Sequence, residues 1–492
     1  MEQPGIHRLS CLIEADASRV IARAFHPGDH GRNQALIDRV MSLPDQEVEA
    51  MLGSVIEQFS HRHQDIESSF EEHFRTITPV CAAGDVDRRR RQLIGAYFTM
   101  EYSIESAALF NPSIVAAPSQ DGLAPGTTRF LMSLRAVGEG HVSSIVFRTG
   151  EIDAGNRIRL DDVSRLTRRL KVIRNRRYDQ GTYRLKLIEM GAWDDPAEKV
   201  LERLEDRFDF ESLQRSIREV RRALTDPDRF GQTAENMLWL ARSNYHLEVP
   251  AGADPSEIVI FPSSETESRG IEDLRMVRFT DDDGSIRYYG TYTAYNGYCI
   301  LPQLLETADF RTVAVHTLNG RYVQNKGLAL FPRKVGGWHL MVSRLDGENL
   351  FLMKSDNVRF WNDAEMIQAP RYPWELVQIG NCGSPIETDA GWLLLTHGVG
   401  PVRQYCIAAS LLDRNDPSQV VGQMSEPLLV ADASERDGYV PNVVYTCGAI
   451  IHHDTLLIPY AVSDSATKFA TVSLPDLLAH LKGPQCVTRP DA

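Results

Sequence analysis

Polar side chains on otherwise apolar, strand-like runs are where chemistry is first sought in this 492-residue chain, and five places qualify. They are Asn111 in Phe110-Asn111-Pro112-Ser113; Glu272 and Asp273 in Gly270-Ile271-Glu272-Asp273-Leu274-Arg275; Lys326 with Lys334 and Arg344; His397 in Leu395-Thr396-His397-Gly398-Val399; and Asp464 after Tyr460-Ala461-Val462-Ser463. A carboxylate pair, several cations, a histidine and an asparagine make a site for a polar, anionic reactant. Each also has a plain structural use. Asn111 before Pro112 can shape a turn. Asp273 and Arg275, two apart on a strand, share a face and can form an ion pair. Other patterns are weaker. His61/His63 and His452/His453 lack acidic or cysteine companions at metal-ligand spacing, so no metal site is expected. Gly138-Glu139-Gly140 lacks a strand–helix context and reads as a hairpin end. A Gly-x-Ser-x-Gly elbow is missing, which removes one common hydrolase reading.

The elements that must position these residues are mostly strands. The first hundred residues read as helical: Val48, Met51, Leu52, Val55, Ile56 and Phe59 recur at helical spacing, as do Leu93, Ile94, Tyr97, Phe98 and Tyr102. From Phe110 the texture changes, with strand-like runs at Phe130–Arg135 and Ser143–Phe147. A second helical block is expected from about Ala197 to Leu224 and from Gln232 to Ser243. Between Gly270 and Leu474 the turn signals Asp283-Gly284, Gly336-Gly337, Ala390-Gly391 and His453-Asp454 each border a strand-like run. Such hairpins fit a sandwich, a barrel or a propeller. Grouping them gives about five β-units with helices inserted between the first and second, which suits a small propeller.

Composition narrows the class. With 53 Lys+Arg against 67 Asp+Glu the net charge is −14, which argues against a general nucleic-acid binder. The basic run Arg88-Arg89-Arg90-Arg91 opens a helical pattern and reads as a solvated helix face. Hydrophobic content of 42% and charged content of 24% are ordinary for a globular chain. The length allows roughly three domains or one large β body. No stretch reaches the ~18 apolar residues that span a bilayer, and the N-terminus does not read as a signal peptide. Seven scattered cysteines, Cys11, Cys81, Cys299, Cys382, Cys406, Cys447 and Cys486, read as reduced thiols, so a cytoplasmic location is expected.

At these residues the sequence resembles glycoside hydrolase family 130, the β-mannoside phosphorylases and related β-mannosidases. The resemblance covers about Phe110–Glu151 and Arg269–Ala470, in family order. Besides the motifs at Asn111 and Asp273 it is carried by Leu134-Arg135-Ala136, Thr291-Tyr292-Thr293-Ala294-Tyr295 and Leu330-Phe331-Pro332-Arg333-Lys334. Gly391-Trp392-Leu393-Leu394, His397-Gly398-Val399, Leu411-Leu412-Asp413 and Val440-Pro441-Asn442-Val443-Val444 complete it. It implies a mainly β fold, a five-bladed β-propeller with N-terminal and inserted α-helical segments. The expected division is a helical extension at 1–105, the propeller at 106–480 with an insertion at about 190–248, and a tail at 481–492. The helical blocks lie outside the family's usual core and are available to cover the channel mouth or to mediate oligomers.

The resemblance also implies roles. Asp273 matches the general acid, its proton relayed through the mannosyl 3-hydroxyl. Asn111, Arg135 and Asp464 match positions that hold the mannose ring, and Tyr445 an aromatic position near the sugar. Lys326, Arg344, His397 and Tyr405 match the groups around phosphate. Three positions depart from the family: Leu274 replaces a proline, Gln378 a lysine, and Asn296 a frequent aspartate.

Phosphate arrives charged and nucleophilic, so it needs cations to bind and orient it where an inverting hydrolase needs a second carboxylate to activate water. Lys326, Arg344 and His397 therefore favour a phosphorylase. For the acid to keep its proton, Asp273 is expected to be partly buried with a raised pKa. The reading is an inverting β-mannoside phosphorylase of the glycosyltransferase type. It cleaves β-mannosyl oligosaccharides with inorganic phosphate, releases α-mannose 1-phosphate, and uses no metal or resident cofactor. A β-mannosidase and a non-catalytic sugar-binding propeller are the alternatives. No nucleic-acid or membrane partner is expected, and a homo-oligomer is left open.

Overall fold

The computed structural model describes residues 4–78, 86–173, 177–223, 230–298 and 300–483. Cys81, Cys299, Cys486 and all but the first three residues of the expected C-terminal tail lie outside them. The fold is mainly β, with nine α-helices among the described residues.

The strands form successive antiparallel runs. Ala108–Ala116, Thr128–Val137 and Ser143–Ile152 make the first. Gly270–Thr280, Ile286–Tyr295, Ile300–Thr307 and Thr312–Thr317 make the second, and both runs belong to one 12-stranded sheet. Ala329–Leu330, His339–Ser343, Leu350–Ser355 and Asp363–Gln368 form a four-stranded sheet. Gln378–Asn381, Gly391–Val399, Tyr405–Leu412 and Val420–Gln423 form the spine of a six-stranded one. The last run is Val444–Tyr445, Thr455–Val462, Ala466–Ser473 and, from the other end of the chain, Ile6–Ile13. The turn signals fall where expected. Gly336 and Gly337, at φ 57° and 83°, supply the two left-handed residues that a tight hairpin between twisted strands requires.

Apolar faces of successive runs pack against each other in cyclic order. Leu131 and Phe147 meet Met276 and Tyr288; Val277 and Leu304 meet Leu330 and Met341; Val342 and Leu352 meet Trp392 and Leu394. Leu395 and Ile407 meet Ile458 and Tyr460, and Leu457 and Phe469 return to Leu109 and Phe130 of the first run. Burying such faces is the dominant favourable term in folding.

The N-terminal region departs from the all-helical reading. Its helices are α1 (His30–Met41), α2 (Asp45–Phe59), α3 (Ile66–Ile77) and α4 (Arg88–Tyr97). Ile6–Ile13, Val20–Ala24 and Thr99–Ser103 are strands. Tyr102 does not extend the face of α4: the Thr99 hydroxyl donates to the Gly95 carbonyl, the helix ends, and Tyr102 enters the core against Phe261. The arginine run is not wholly a solvated face either. Asp87 caps α4, but Arg90 is buried, and its guanidinium donates to the Val40, Met41 and Leu43 carbonyls at the end of α1. The last carbonyls of a helix lack the i+4 donors of its interior, so a buried cation there is well used.

The second helical block begins earlier than expected, with α5 (Gln180–Glu189), α6 (Asp195–Leu201), α7 (Phe210–Ala223) and α8 (Gly231–Arg242). Tyr245–Glu248 is already a strand, paired with Thr312–Thr317. The α6–α7 break falls at 202–209, where the helical period is interrupted and Arg207–Phe208 pairs with Tyr178–Asp179. The remaining helix, α9 (Leu474–Leu481), follows the last strand and packs Leu477 and Leu481 on the final sheets.

Candidate active site

Asn111 and Asp273 owe their positions to the same local device. In Ala108–Ala116 the register shifts between Phe110 and Ser113, whose partners Arg135 and Ser133 are only two apart. In Gly270–Thr280 it shifts between Glu272 and Arg275, opposite Thr293 and Thr291. Each shift is a β-bulge that swings one residue out of the alternation. Asn111 and Asp273 both take left-handed backbones there, φ 51° and 55°. Such strain persists where the surrounding structure enforces it, commonly at functional sites.

The bulges aim the two side chains into one cavity of about 240 Å³. All nine residues named for the site line it: Asp273, Asn111, Arg135, Asp464, Tyr445, Lys326, Arg344, His397 and Tyr405. Arg135, Arg344 and His397 come from the ends of second strands in their runs, Tyr405 begins a third strand, and Asp464 sits in the hairpin after Thr455–Val462. Lys334, grouped with Lys326 on sequence, is elsewhere, paired with Asp281 at 2.8 Å and Asp282 at 3.0 Å. A residue so close to the Gly336-Gly337 turn is carried to the hairpin's outer end.

Asp273 is enclosed by donors. Its Oδ1 accepts from Asn111 Nδ2 at 2.6 Å and lies 3.6 Å from Arg135 Nη1. Glu272 bridges Arg135 at 2.9 Å and Lys326 at 2.6 Å. The ion pair weighed for Asp273 and Arg275 is not formed between side chains: Arg275 donates to the Asp273 backbone carbonyl at 3.0 Å and to the Tyr445 hydroxyl at 2.6 Å. The bulge removes the shared face on which that pairing depended.

Electrostatics follow. Burial pushes the Asp273 carboxyl up, but Arg135, Arg275, the Asn111 hydrogen bond and Lys326 outweigh it, and the group is held below the usual carboxylate range. The expected raised value is therefore overturned, because cations crowd the acid more strongly than burial penalises its charge. Asp464 behaves oppositely: burial and the neighbouring Asp273 push it up to about 6. His397 is held well below its ordinary value by burial, then by Arg344 and Arg275. The imidazole is therefore neutral, its Nε2 facing Arg344 Nη1 at 3.3 Å. Its ring stacks on Tyr405 and meets Tyr445 edge-on. Gly380 is required opposite, since a Cβ there would collide with the imidazole.

Five buried polar atoms of the cavity have no protein partner: Asn111 Oδ1, Arg135 Nε, Arg275 Nε, Arg344 Nε and Asn381 Oδ1. Leaving such an atom unpaired costs about 1–3 kcal/mol, so their concentration in one cavity suits a polar ligand that supplies hydrogen bonds. Asn381 and Arg403 also line the cavity and went unnoticed on sequence, as did the part played by Arg275. Arg275 stands inside the Asp273 motif and was within reach; Asn381 and Arg403 lie in segments with no distinguishing pattern. Among the departures, Leu274 is a core residue packed toward Gly290, Gln378 does not line the cavity, and Asn296 turns its carboxamide to the Tyr298 amide.

Residues 252–483 match a family described as beta-1,4-mannooligosaccharide phosphorylase, a span that includes Asp273, Lys326, Arg344, His397, Tyr405, Tyr445 and Asp464. The 1,2-beta-oligomannan phosphorylase of Thermoanaerobacter sp. (strain X514) is 31% identical over 223 residues, 44% of this chain and 73% of that protein. The beta-1,2-mannobiose phosphorylase of Listeria innocua is 29% identical over 231 residues, 45% of this chain and 63% of that protein. The beta-1,4-mannooligosaccharide phosphorylase of Ruminococcus albus is 29% identical over 210 residues, 40% of this chain and 62% of that protein. The solved structure of the Listeria innocua beta-1,2-mannobiose phosphorylase with beta-1,2-mannobiose aligns over 77% of this chain and 93% of that one, with TM-score 0.45 and 19% identity.

Proposed function

The chain belongs to glycoside hydrolase family 130, and from that premise we propose that it is an inverting β-mannoside phosphorylase. It would cleave a β-mannosyl linkage with inorganic phosphate and release α-mannose 1-phosphate. The fold we propose is a five-bladed β-propeller at 106–480, supported by the cyclic order in which the five runs pack. The segment 1–105 contributes the helices α1 to α4 and adds an edge strand, Ile6–Ile13, to the last sheet.

One observation carries the reading: a single small cavity joins a partly buried carboxyl, Asp273, to a cluster of cations that includes Lys326, Arg344 and Arg403. In the proposed reaction phosphate oxygen attacks the anomeric carbon from the face opposite the glycosidic bond. A C–O bond to phosphate forms as the glycosidic C–O bond breaks, inverting the centre. The leaving oxygen takes a proton from Asp273 through the mannosyl 3-hydroxyl. Asn111, Arg135, Asp464 and Tyr445 hold the ring; Lys326, Arg344, His397 and Tyr405 hold phosphate. No metal or resident cofactor enters the scheme.

Phosphate also answers how an acid held low obtains a proton. Its negative charge offsets the cations that keep Asp273 ionised, so phosphate binding raises the affinity of Asp273 for a proton. The site is then acidic only when the nucleophile is present. Product analysis on β-mannosides with and without phosphate tests the function. Phosphate-dependent formation of mannose 1-phosphate is expected; equal cleavage without phosphate would make the chain a mannosidase.

A further inference from the structure

The five most exposed large apolar side chains among the described residues are Tyr298 at 98%, Val402 at 91%, Tyr439 at 65%, Leu376 at 61% and Val377 at 59%. Chain neighbours and strand register tie each of them to a segment that supplies the cavity. Val402 is in the hairpin that follows the His397 strand, next to Arg403 of the cavity wall. Tyr439 precedes Val440, another wall residue, whose amide bonds the Ser463 carbonyl beside Asp464. Tyr298 follows a strand whose last residue, Tyr295, pairs with Gly270 three residues before Asp273. Leu376 and Val377 lead into Gln378–Asn381, with the Val377 amide bonded to the Val399 carbonyl.

Water-exposed groups of this size on segments beside a polar cavity ask for an occupant. Two details specify its chemistry. Tyr439 stacks on His141 with ring centroids 5.5 Å apart, and His141 sits in the hairpin after the Arg135 strand. The exposed Tyr439 thus presents an aromatic surface braced from another run. His141, Val402 and Arg403 also hold left-handed backbones, φ 58°, 57° and 56°, the kind of strain found at ligand sites. Second, the cavity is small. At about 240 Å³ it falls below the ~300 Å³ lower bound of sites for drug-sized ligands. With a mannosyl unit and phosphate inside, further sugar units must lie on the rim. Sugar rings have an apolar C–H face and a polar edge, which fits aromatic and aliphatic groups beside the Arg403 guanidinium.

We propose that this rim is a saccharide-binding platform on which Tyr439, braced by His141, and Val402 hold sugar units beyond the mannosyl residue, so that the substrate is an oligosaccharide longer than a disaccharide. The proposal rests on the phosphorylase reading for the identity of the sugar in the cavity. Calorimetric titration of the full chain with a β-linked manno-tetrasaccharide and with the corresponding disaccharide tests it. The wild type should bind the tetrasaccharide more tightly. Tyr439→Ala should weaken the tetrasaccharide by about 3- to 10-fold relative to the disaccharide, roughly what one aromatic contact is worth. Tyr439→Phe should restore most of the loss, and Val402→Ser should move affinity in the same direction as Tyr439→Ala.

Equal affinity for the two lengths in the wild type overturns the proposal, and so does a loss in Tyr439→Ala that is the same for both lengths. Sedimentation of the same proteins adds a third outcome: dissociation of an oligomer by Tyr439→Ala assigns the rim to a second copy of the chain. Phosphate dependence of turnover is measured separately. Its absence would remove the phosphorylase reading while length-dependent binding still upheld the platform.

Discussion

Asn111 donates its Nδ2 to Asp273 Oδ1 at 2.6 Å, and each residue is the extra one in a bulge of the first strand of its run. Two copies of one backbone irregularity thus deliver the two ends of a single hydrogen bond. A bulge re-aims a side chain that regular alternation would send elsewhere, and here it sends both into the cavity.

Asp273→Asn keeps the size of the side chain but cannot donate a carboxylic proton. Turnover should fall by at least ~10²-fold, the low end for general acid catalysis. A sugar leaving group needs protonation more than an activated aryl group does. Comparison of rates on a mannobiose and an aryl β-mannoside checks this: the loss should be smaller on the aryl substrate.

Arg344→Ala should act through phosphate. A charge-assisted contact is roughly twice as strong as a neutral one, so the KM for phosphate should rise by about 10-fold or more, with a smaller effect on the KM for mannoside. Kinetics at varied phosphate measure it. An unchanged phosphate KM would remove Arg344 from the phosphate subsite.

Asp464 and Asp273 should leave opposite marks on stability. The raised Asp464, at about 6, keeps its proton in the folded state between pH ~4 and ~6 while the unfolded chain has released its own. Its contribution to stability therefore falls as pH rises through that window. Asp273, held low, contributes stability above its unfolded pKa that is lost as pH falls toward its folded value. Asp464→Asn should accordingly stabilise the protein at pH 7.5, by no more than about 3 kcal/mol, with little gain at pH 4. Thermal unfolding at the two pH values decides the sign.

The N-terminal region should be inseparable from the rest. Glu105 is fully buried and takes Arg19 at 2.8 Å and Arg148 at 2.9 Å, which joins the first residues to the Ser143–Ile152 strand. Removing the shared carboxylate leaves two buried guanidiniums without it. Glu105→Ala should cost about 3–5 kcal/mol, measurable by denaturant unfolding. Deletion of 1–105 also strips Ile6–Ile13 from the last sheet and should give insoluble protein; a soluble, fully active truncation would contradict this.

The residue types of the cavity were legible because polar groups on apolar strands are rare, and a family pattern ordered them. Hairpins were legible for a local reason: Asp283-Gly284 and Gly336-Gly337 carry their turn geometry in their own φ preferences. Helix faces such as Val48/Leu52 were legible through period, and both residues are buried. Period misled where a helix gave way to a strand whose residues still matched the helical spacing, as at Tyr102, and where a charged residue was drawn inward by partners distant in sequence, as Arg90 was by the end of α1.

Only the tertiary structure decided the ionisation of Asp273. Sequence supplies the acid and Arg275 two residues on, but Arg135 and Lys326 come from far along the chain. Whether burial or attraction wins depends on distances that folding sets, and here Arg135 and Lys326 arrive from two other segments to join Arg275 of the same strand. It also decided that Lys334 lies outside while Lys326 lies inside, and that Arg403 joins a site no local pattern announced. Chemistry that a residue carries alone is written in its type; chemistry that depends on what stands beside it waits for the packing of the runs.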